Sequence, residues 1–196
     1  LSSWFGIGSF NLESIADKFL SIRFCLCKSV ALEEFVFMTL AVGDVAPEFT
    51  VPDASGTLIS LSQLRGQWII LYFYPRDNTP GCTKEACGYR QVAAELAQRN
   101  VRILGVSPDS VASHQTFQEK FDLPFSLLAD TDTRVAQAYG SYGPKKFMGK
   151  EYLGVYRDTF VIDPEGKIVA IYRRVKPDAH IAQVLADLAR LQEGSR

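Results

Sequence analysis

The chain has 196 residues, 47% of them apolar, which is enough to bury a sizeable core and excludes disorder over most of its length. Lys and Arg total 21 against 22 Asp and Glu, a formal charge of −1 with no clustered basic stretch, so neither nucleic acid nor an anionic membrane is expected as the main partner. Four cysteines are too few for a disulfide scaffold in a chain this long, so any close pair of them needs a reason in chemistry, metal binding or chance.

Residues 1–37 are apolar and nearly turnless, but Glu13, Asp17, Lys18, Arg23, Lys28, Glu33 and Glu34 interrupt every apolar run. No span of about 18 uninterrupted apolar residues exists there to cross a bilayer. The segment also lacks the basic start, unbroken apolar centre and small-residue cleavage site of a secretory signal, and its acids do not suit an organelle transit peptide. Met38 stands directly before "TLAVGDVAPEFTVPD". Residues 1–37 are therefore read as an N-terminal extension of unknown role, with an amphipathic interaction helix or an atypical targeting sequence as alternatives. Residues 38–196 are read as the functional domain of a cytoplasmic protein. The extension holds three basic and four acidic residues, which leaves 18 of each in the domain, a neutral balance that suits a small uncharged substrate without identifying one.

"GDVAPEFTVPDASGTLISL" carries the Pro, Gly and Asp punctuation of a short β-hairpin turning at "DASG". "QWIILYFYP" is an unbroken run of β-formers ended by Pro75, as expected of a central strand buried on both faces. Ala86, Tyr89, Val92, Ala93, Leu96 and Ala97 recur at helical spacing and predict a helix from about Cys82 to Asn100. Then follow a strand in "VRILGVSPDS", a helix in "SVASHQTFQEKFDL", a strand in "FSLLAD", a short helix in "TRVAQAYG" and a Gly-rich loop in "GPKKFMGKEYLGV". Two strands flank the turn "DPEG", and Ile181, Val184, Leu185, Leu188 and Leu191 mark a last amphipathic helix over 179–191. The alternation predicts an α/β protein with a mixed central β-sheet flanked by helices on both faces.

Cys82 stands where the buried strand hands over to the helix, with Pro80 and Gly81 setting the entry. Unpaired N–H groups and the positive end of the helix dipole favour a thiolate at such a place, although a free cysteine is also commonly a small buried hydrophobe. Cys87 follows five residues later, a spacing that is not the Cys-x-x-Cys of a redox pair. His114 and His180 are too far apart in sequence to complete a metal site, so no metal is expected and both are read as surface or core polar residues. The best use of Cys87 is to resolve an oxidised Cys82.

The string Pro75-Arg-Asp-Asn-Thr79-Pro-Gly-Cys82 matches the Pro-x-x-x-Thr-x-x-Cys motif of peroxiredoxins, and Cys87 five residues on resembles the Q-type subfamily, the bacterioferritin comigratory proteins. "GDVAPEFTVPD", "GPKKFMGKEY" and "RDTFVID" resemble that family's opening, late loop and arginine-bearing strand, and the likeness runs from about Met38 to Leu191. Cys25 and Cys27 lie outside it. The resemblance implies a thioredoxin-like fold and thiol-dependent reduction of hydrogen peroxide or organic hydroperoxides, with no cofactor. It implies Cys82 as the nucleophile that becomes a sulfenic acid, Cys87 as its resolver through an intramolecular disulfide, and thioredoxin as the reductant of a monomer. Thr79 would hydrogen-bond the peroxide or the thiolate, Pro75 would shield the site, and Arg157 would hold the sulfur as an anion. Arg157 has an alternative as half of a surface pair with Asp158 or Glu151. In an intact helix, residues five apart differ by ~7.5 Å of rise and ~140° of rotation, beyond the Cα separation a disulfide tolerates. Oxidation is therefore expected to unwind the start of this helix, helped by the low helix propensity of Gly88.

Overall fold

The computed structural model describes residues 40–147 and 149–194; the readings made above for residues 1–37, with Cys25 and Cys27, fall outside them. β1 (Thr50–Pro52) and β2 (Leu58–Ser60) form the first hairpin. Its turn is held by Asp53, whose Oδ1 accepts the amide N–H groups of Ser55 and Thr57 at 2.8 and 3.1 Å. A 3-10 turn (Leu61–Leu64) leads into β3 (Trp68–Phe73), in which every residue is buried.

Helix α1 (Pro80–Gln98), β4 (Val101–Ser107), α2 (Val111–Phe121), β5 (Ser126–Ala129) and the short α3 (Arg134–Ala138) follow. β6 (Tyr142–Phe147) and β7 (Lys150–Val155) pair as an antiparallel ribbon, then come β8 (Asp158–Ile162), β9 (Ile168–Tyr172) and α4 (Pro177–Gly194). The main sheet has the order β5-β4-β3-β8-β9, with β3, β4 and β5 parallel and β8 and β9 antiparallel to their neighbours. The unbroken apolar run of "WIILYF" thus lies on the middle strand, where both faces are covered.

Alternate residues of β3 feed two separate cores, as the two-residue period of a strand requires. Ile69, Leu71 and Phe73 join Leu104, Val106, Phe160 and Ile162 with Val135 and Ala136 of α3 on one face. Ile70 and Tyr72 join Ile103 and Val161 with Ala86, Tyr89 and Leu96 of α1, Phe117 of α2 and Val184 and Leu188 of α4 on the other. Each fully buried Val, Leu, Ile or Phe among them stabilises the fold by roughly 1.5–3 kcal/mol relative to exposure.

The elements match the expected order with one correction: "GPKKFMGKEYLGV" is the β6–β7 hairpin rather than a loop. Helices α1 and α4 also begin two residues earlier than their apolar periodicity suggests. Pro80 and Pro177 take the first helical positions, where a missing N–H costs nothing.

Candidate active site

The loop from Tyr74 to Thr79 connects the C-terminal end of β3 to α1. Thr79 is the N-cap residue by backbone geometry, and Cys82 is the third residue of the helix. Cys82 is buried, 1% exposed, while Cys87 is half-buried, and both are free thiols in a continuous helix.

Arg157 arrives from another part of the chain by strand register. Phe73 at the end of β3 pairs with Asp158 at the start of β8, so the residue preceding β8 lies beside the loop that follows β3. The backbone of Arg157 is tied by its carbonyl, which accepts the Val175 N–H at 2.8 Å. Its Nη2 donates to Cys82 Sγ at 3.3 Å, and its Nη1 donates to Glu85 Oε2. Gly81 makes room for this approach: a Cβ there would stand 3.2 Å from Arg157 Nη2, with little space to give.

Arg157 does not pair with Asp158 or Glu151, the partners considered for a merely structural arginine. Asp158 is buried and accepts Arg173 Nη1, Ser141 Oγ and the Arg174 N–H at 2.9, 2.9 and 2.7 Å. Glu85 is fully buried, and its Oε1 has no hydrogen-bond partner among the described residues. Burial pushes Glu85 up to about 7, against the opposing pull of Arg157. Burial also works against the charge of Arg157, but Glu85 and Cys82 outweigh it and hold the guanidinium above its ordinary value. Lys145 on β6 is lowered by burial and by Arg157, with Cys82 and Asp158 pulling the other way, so the ribbon adds its charge to the field around the thiol.

The other predicted positions, Pro75 and Thr79, lie in the loop that leads to Cys82. Pro75 is half-buried directly after β3. Thr79 Oγ1 donates to the Arg76 carbonyl at 3.1 Å, which commits its proton to the loop and leaves its lone pairs to accept. The sulfur therefore lies in the first turn of a helix and within hydrogen-bond reach of a guanidinium, an arrangement suited to a nucleophile.

Three comparisons bear on this arrangement. Residues 42–171 match the model of the AhpC/TSA family. The chain is 50% identical over 151 residues to a putative peroxiredoxin bcp of Coxiella burnetii, covering 77% of this chain and all of the relative.

The chain belongs to the AhpC/TSA family.

Among solved structures, a mutant of the peroxiredoxin Q of Xylella fastidiosa aligns with a TM-score of 0.74 at 33% identity, over 78% of this chain and 98% of that one. The bacterioferritin comigratory protein of Xanthomonas campestris, studied for its alkyl peroxide reduction, aligns at 0.69 with 37% identity, over 72% and 90%. The fold is accordingly thioredoxin-like and the protein is a peroxiredoxin, a thiol peroxidase. No helix among the described residues is long and apolar enough to cross a membrane.

Reading the peroxiredoxin sequence alone missed Glu85, although it carried a signal. Cys82, Glu85, Ala86 and Tyr89 occupy one face of α1, and all four are buried. An acid on that stripe demands a cation, which Arg157 supplies. Gly88 was read as weakening the helix, and the structure gives it a second role. A Cβ at Gly88 would stand 2.3 Å from Ile181 Cδ1 of α4, so its absence lets α1 and α4 pack closely. Both histidines are buried: His180 Nε2 lies 2.8 Å from Thr159 Oγ1 and 3.5 Å from Tyr89 Oη. Burial and then Arg157 drive His180 down to about 4.

Proposed function

We propose that this peroxiredoxin reduces hydrogen peroxide and organic hydroperoxides through Cys82, forms a Cys82–Cys87 disulfide, and is returned to the dithiol by thioredoxin. The observation that carries the reading is the 3.3 Å contact of Arg157 Nη2 with Cys82 Sγ at the start of α1. The alkyl peroxide reduction of the Xanthomonas relative supports the inclusion of organic substrates.

The Cys82 thiolate attacks the terminal peroxide oxygen. The S–O bond forms as the O–O bond breaks, the sulfur loses two electrons, and the departing hydroxide or alkoxide takes a proton to leave as water or an alcohol. Arg157 stabilises negative charge on the sulfur beforehand and on the departing oxygen afterwards. The Cys87 thiol then attacks the sulfenic sulfur, so an S–S bond replaces the S–O bond and water leaves. A dithiol reductant reverses that oxidation by exchange. Thr79 Oγ1, whose proton goes to the Arg76 carbonyl, accepts a hydrogen bond from the peroxide, and Pro75 keeps competing donors away. The active unit is taken to be a monomer of residues 38–196.

Cys87→Ser tests the resolving step. It is expected to consume one equivalent of peroxide and then stall as a sulfenic acid, whereas the unmodified protein turns over with thioredoxin and shows a Cys82–Cys87 bridge by peptide mapping. Undiminished turnover in Cys87→Ser would remove Cys87 from the mechanism. Amide exchange across residues 82–90 should rise in the disulfide form, and equal protection in both redox forms would rule out unwinding of the helix.

A further inference from the structure

Beside the loop that carries Pro75 and Thr79 lies a buried polar cluster that the peroxide chemistry does not use. His114 is on α2 and is fully buried; Asp77 is in the loop and is 5% exposed. His114 occupies a core position of its helix, since Phe117, one turn on, is buried on the same face. Asp77 accepts three hydrogen bonds through its carboxylate: Tyr74 Oη at 2.7 Å, Ser113 Oγ at 2.7 Å and His114 Nδ1 at 2.9 Å. Its backbone N–H donates to Asp109 Oδ2 at 2.7 Å, and Asp109 in turn accepts Ser107 Oγ at 2.9 Å.

The second nitrogen of His114 decides the charge of the cluster. Nε2 lies 3.2 Å from the carbonyl oxygen of Leu128 on β5, which can only accept. Nδ1 faces the Asp77 carboxylate, with the Tyr74 hydroxyl further off at 3.4 Å and its proton directed at Asp77. A neutral imidazole has one donor and one acceptor nitrogen, so one of the two contacts would set lone pair against lone pair. An imidazolium satisfies both. A carboxylate that receives three donors is likewise ionised: burial alone would raise Asp77, but the bond and charge of His114, with Ser113 and Tyr74, hold it below its ordinary value.

We propose that His114 is a positioning residue for the peroxide reaction. Held as an imidazolium between Asp77 and the Leu128 carbonyl, it fixes the loop that carries Pro75 and Thr79 and leads into Cys82. The charged groups facing it are Asp77 directly and Asp109 behind the Asp77 backbone, with Tyr74 as the other titratable neighbour. The pair joins the catalytic loop to α2 and β5, outside the stretch of α1 that the disulfide would unwind. It can therefore hold the loop in place throughout the redox cycle. This rests on the assignment of Cys82 as the nucleophile above. Geometry at a reacting centre is demanding, and a displacement of about 1 Å can cost on the order of 100-fold in rate.

The test has two parts. Nitrogen-15 NMR of the unmodified reduced protein at about pH 7 should show both ring nitrogens of His114 protonated; a neutral tautomer there would overturn the proposal. Asp77→Asn and His114→Gln should then each slow oxidation of Cys82 by hydrogen peroxide about 10–100-fold. Alkylation of Cys82 by iodoacetamide, which needs no peroxide geometry, should change by less than about 3-fold in the same variants. The double variant should be no slower with peroxide than the slower single one, because both remove the same tie. Peroxide rates unaffected by the substitutions, or peroxide and alkylation rates falling together, would each overturn the positioning role. Failure of Cys82 to react with peroxide in the unmodified protein would instead overturn the functional reading beneath it.

Discussion

The two stretches that flank Cys82 are tied into the fold differently. Before it, the loop of residues 74–79 is held by directional bonds converging on one residue: Asp77 makes four, to Tyr74 within the loop, to Ser113 and His114 on α2, and to Asp109 in the loop before α2. After it, residues 82–90 of α1 pack on the sheet and on α4, with Gly88 against Ile181, and are also bonded to distant elements: Arg157 to Cys82 and Glu85, Arg90 Nη1 to the Phe121 carbonyl at 2.7 Å, and Tyr89 near His180 at 3.5 Å. Directional bonds specify a geometry and fail sharply when it is lost, whereas apolar packing tolerates rearrangement at a more gradual cost. Both stretches thus carry directional bonds, but only the one after the nucleophile would have to break some of them for the proposed Cys82–Cys87 disulfide to form.

The largest expected effect removes what both stretches serve. Cys82→Ser should abolish peroxide consumption, because an alcohol cannot supply the nucleophile; turnover with thioredoxin in that variant would leave the comparison without a centre. Arg157→Met should slow Cys82 oxidation by about 100–1,000-fold, the usual cost of losing one donor to a developing anion. A stopped-flow rate within a few-fold of the unmodified protein would make the arginine structural.

Glu85 gives a pH signature inside the stretch that follows Cys82. Its carboxyl is raised from 4.5 to about 7 in the fold, so the native state holds a proton that the unfolded chain has released. Its stabilising share is complete below pH 4.5 and is lost as pH rises to about 7. Glu85→Gln should flatten that fall by on the order of 1–3 kcal/mol, read by urea unfolding across the window. An unchanged slope would place the titration elsewhere. The smallest effect belongs to Gly88→Ala. Better helix propensity contributes about 1 kcal/mol, while crowding Ile181 costs about 1–3 kcal/mol unless that side chain swings aside. The net expectation is a loss near 1 kcal/mol and slightly faster disulfide formation; a stabilised variant would make Gly88 a helix-weakening residue rather than a packing one.

The sequence displayed the sheet best where burial leaves no choice. "WIILYF" can only be a strand covered on both faces, and β3 is the middle strand. The β6–β7 ribbon was illegible because it is largely exposed: Lys150, Glu151, Tyr152 and Leu153 face solvent in succession, so no apolar alternation marks it, and Gly143, Pro144, Gly149 and Gly154 read as loop punctuation. Cys82, Thr79 and Pro75 could be proposed together because they are neighbours in sequence. The Glu85–Arg157 and Asp77–His114 pairs span 72 and 37 positions, and no local pattern says which acid will meet which base. What the sequence alone named was half of each pair, Arg157 through the family resemblance and His114 as a surface or core polar residue.

Because Phe73 pairs with Asp158, the sulfur and its guanidinium meet only after 75 intervening steps of chain have been made and the β3–β8 pairing has closed. During synthesis, which proceeds from the N-terminus, Cys82 emerges well before Arg157 exists. A growing or unfolded chain therefore carries the cysteine without the guanidinium beside it. The donor that Arg157 offers the sulfur exists only once the β3–β8 pairing has closed, so the site is assembled by tertiary structure and not by the local motif.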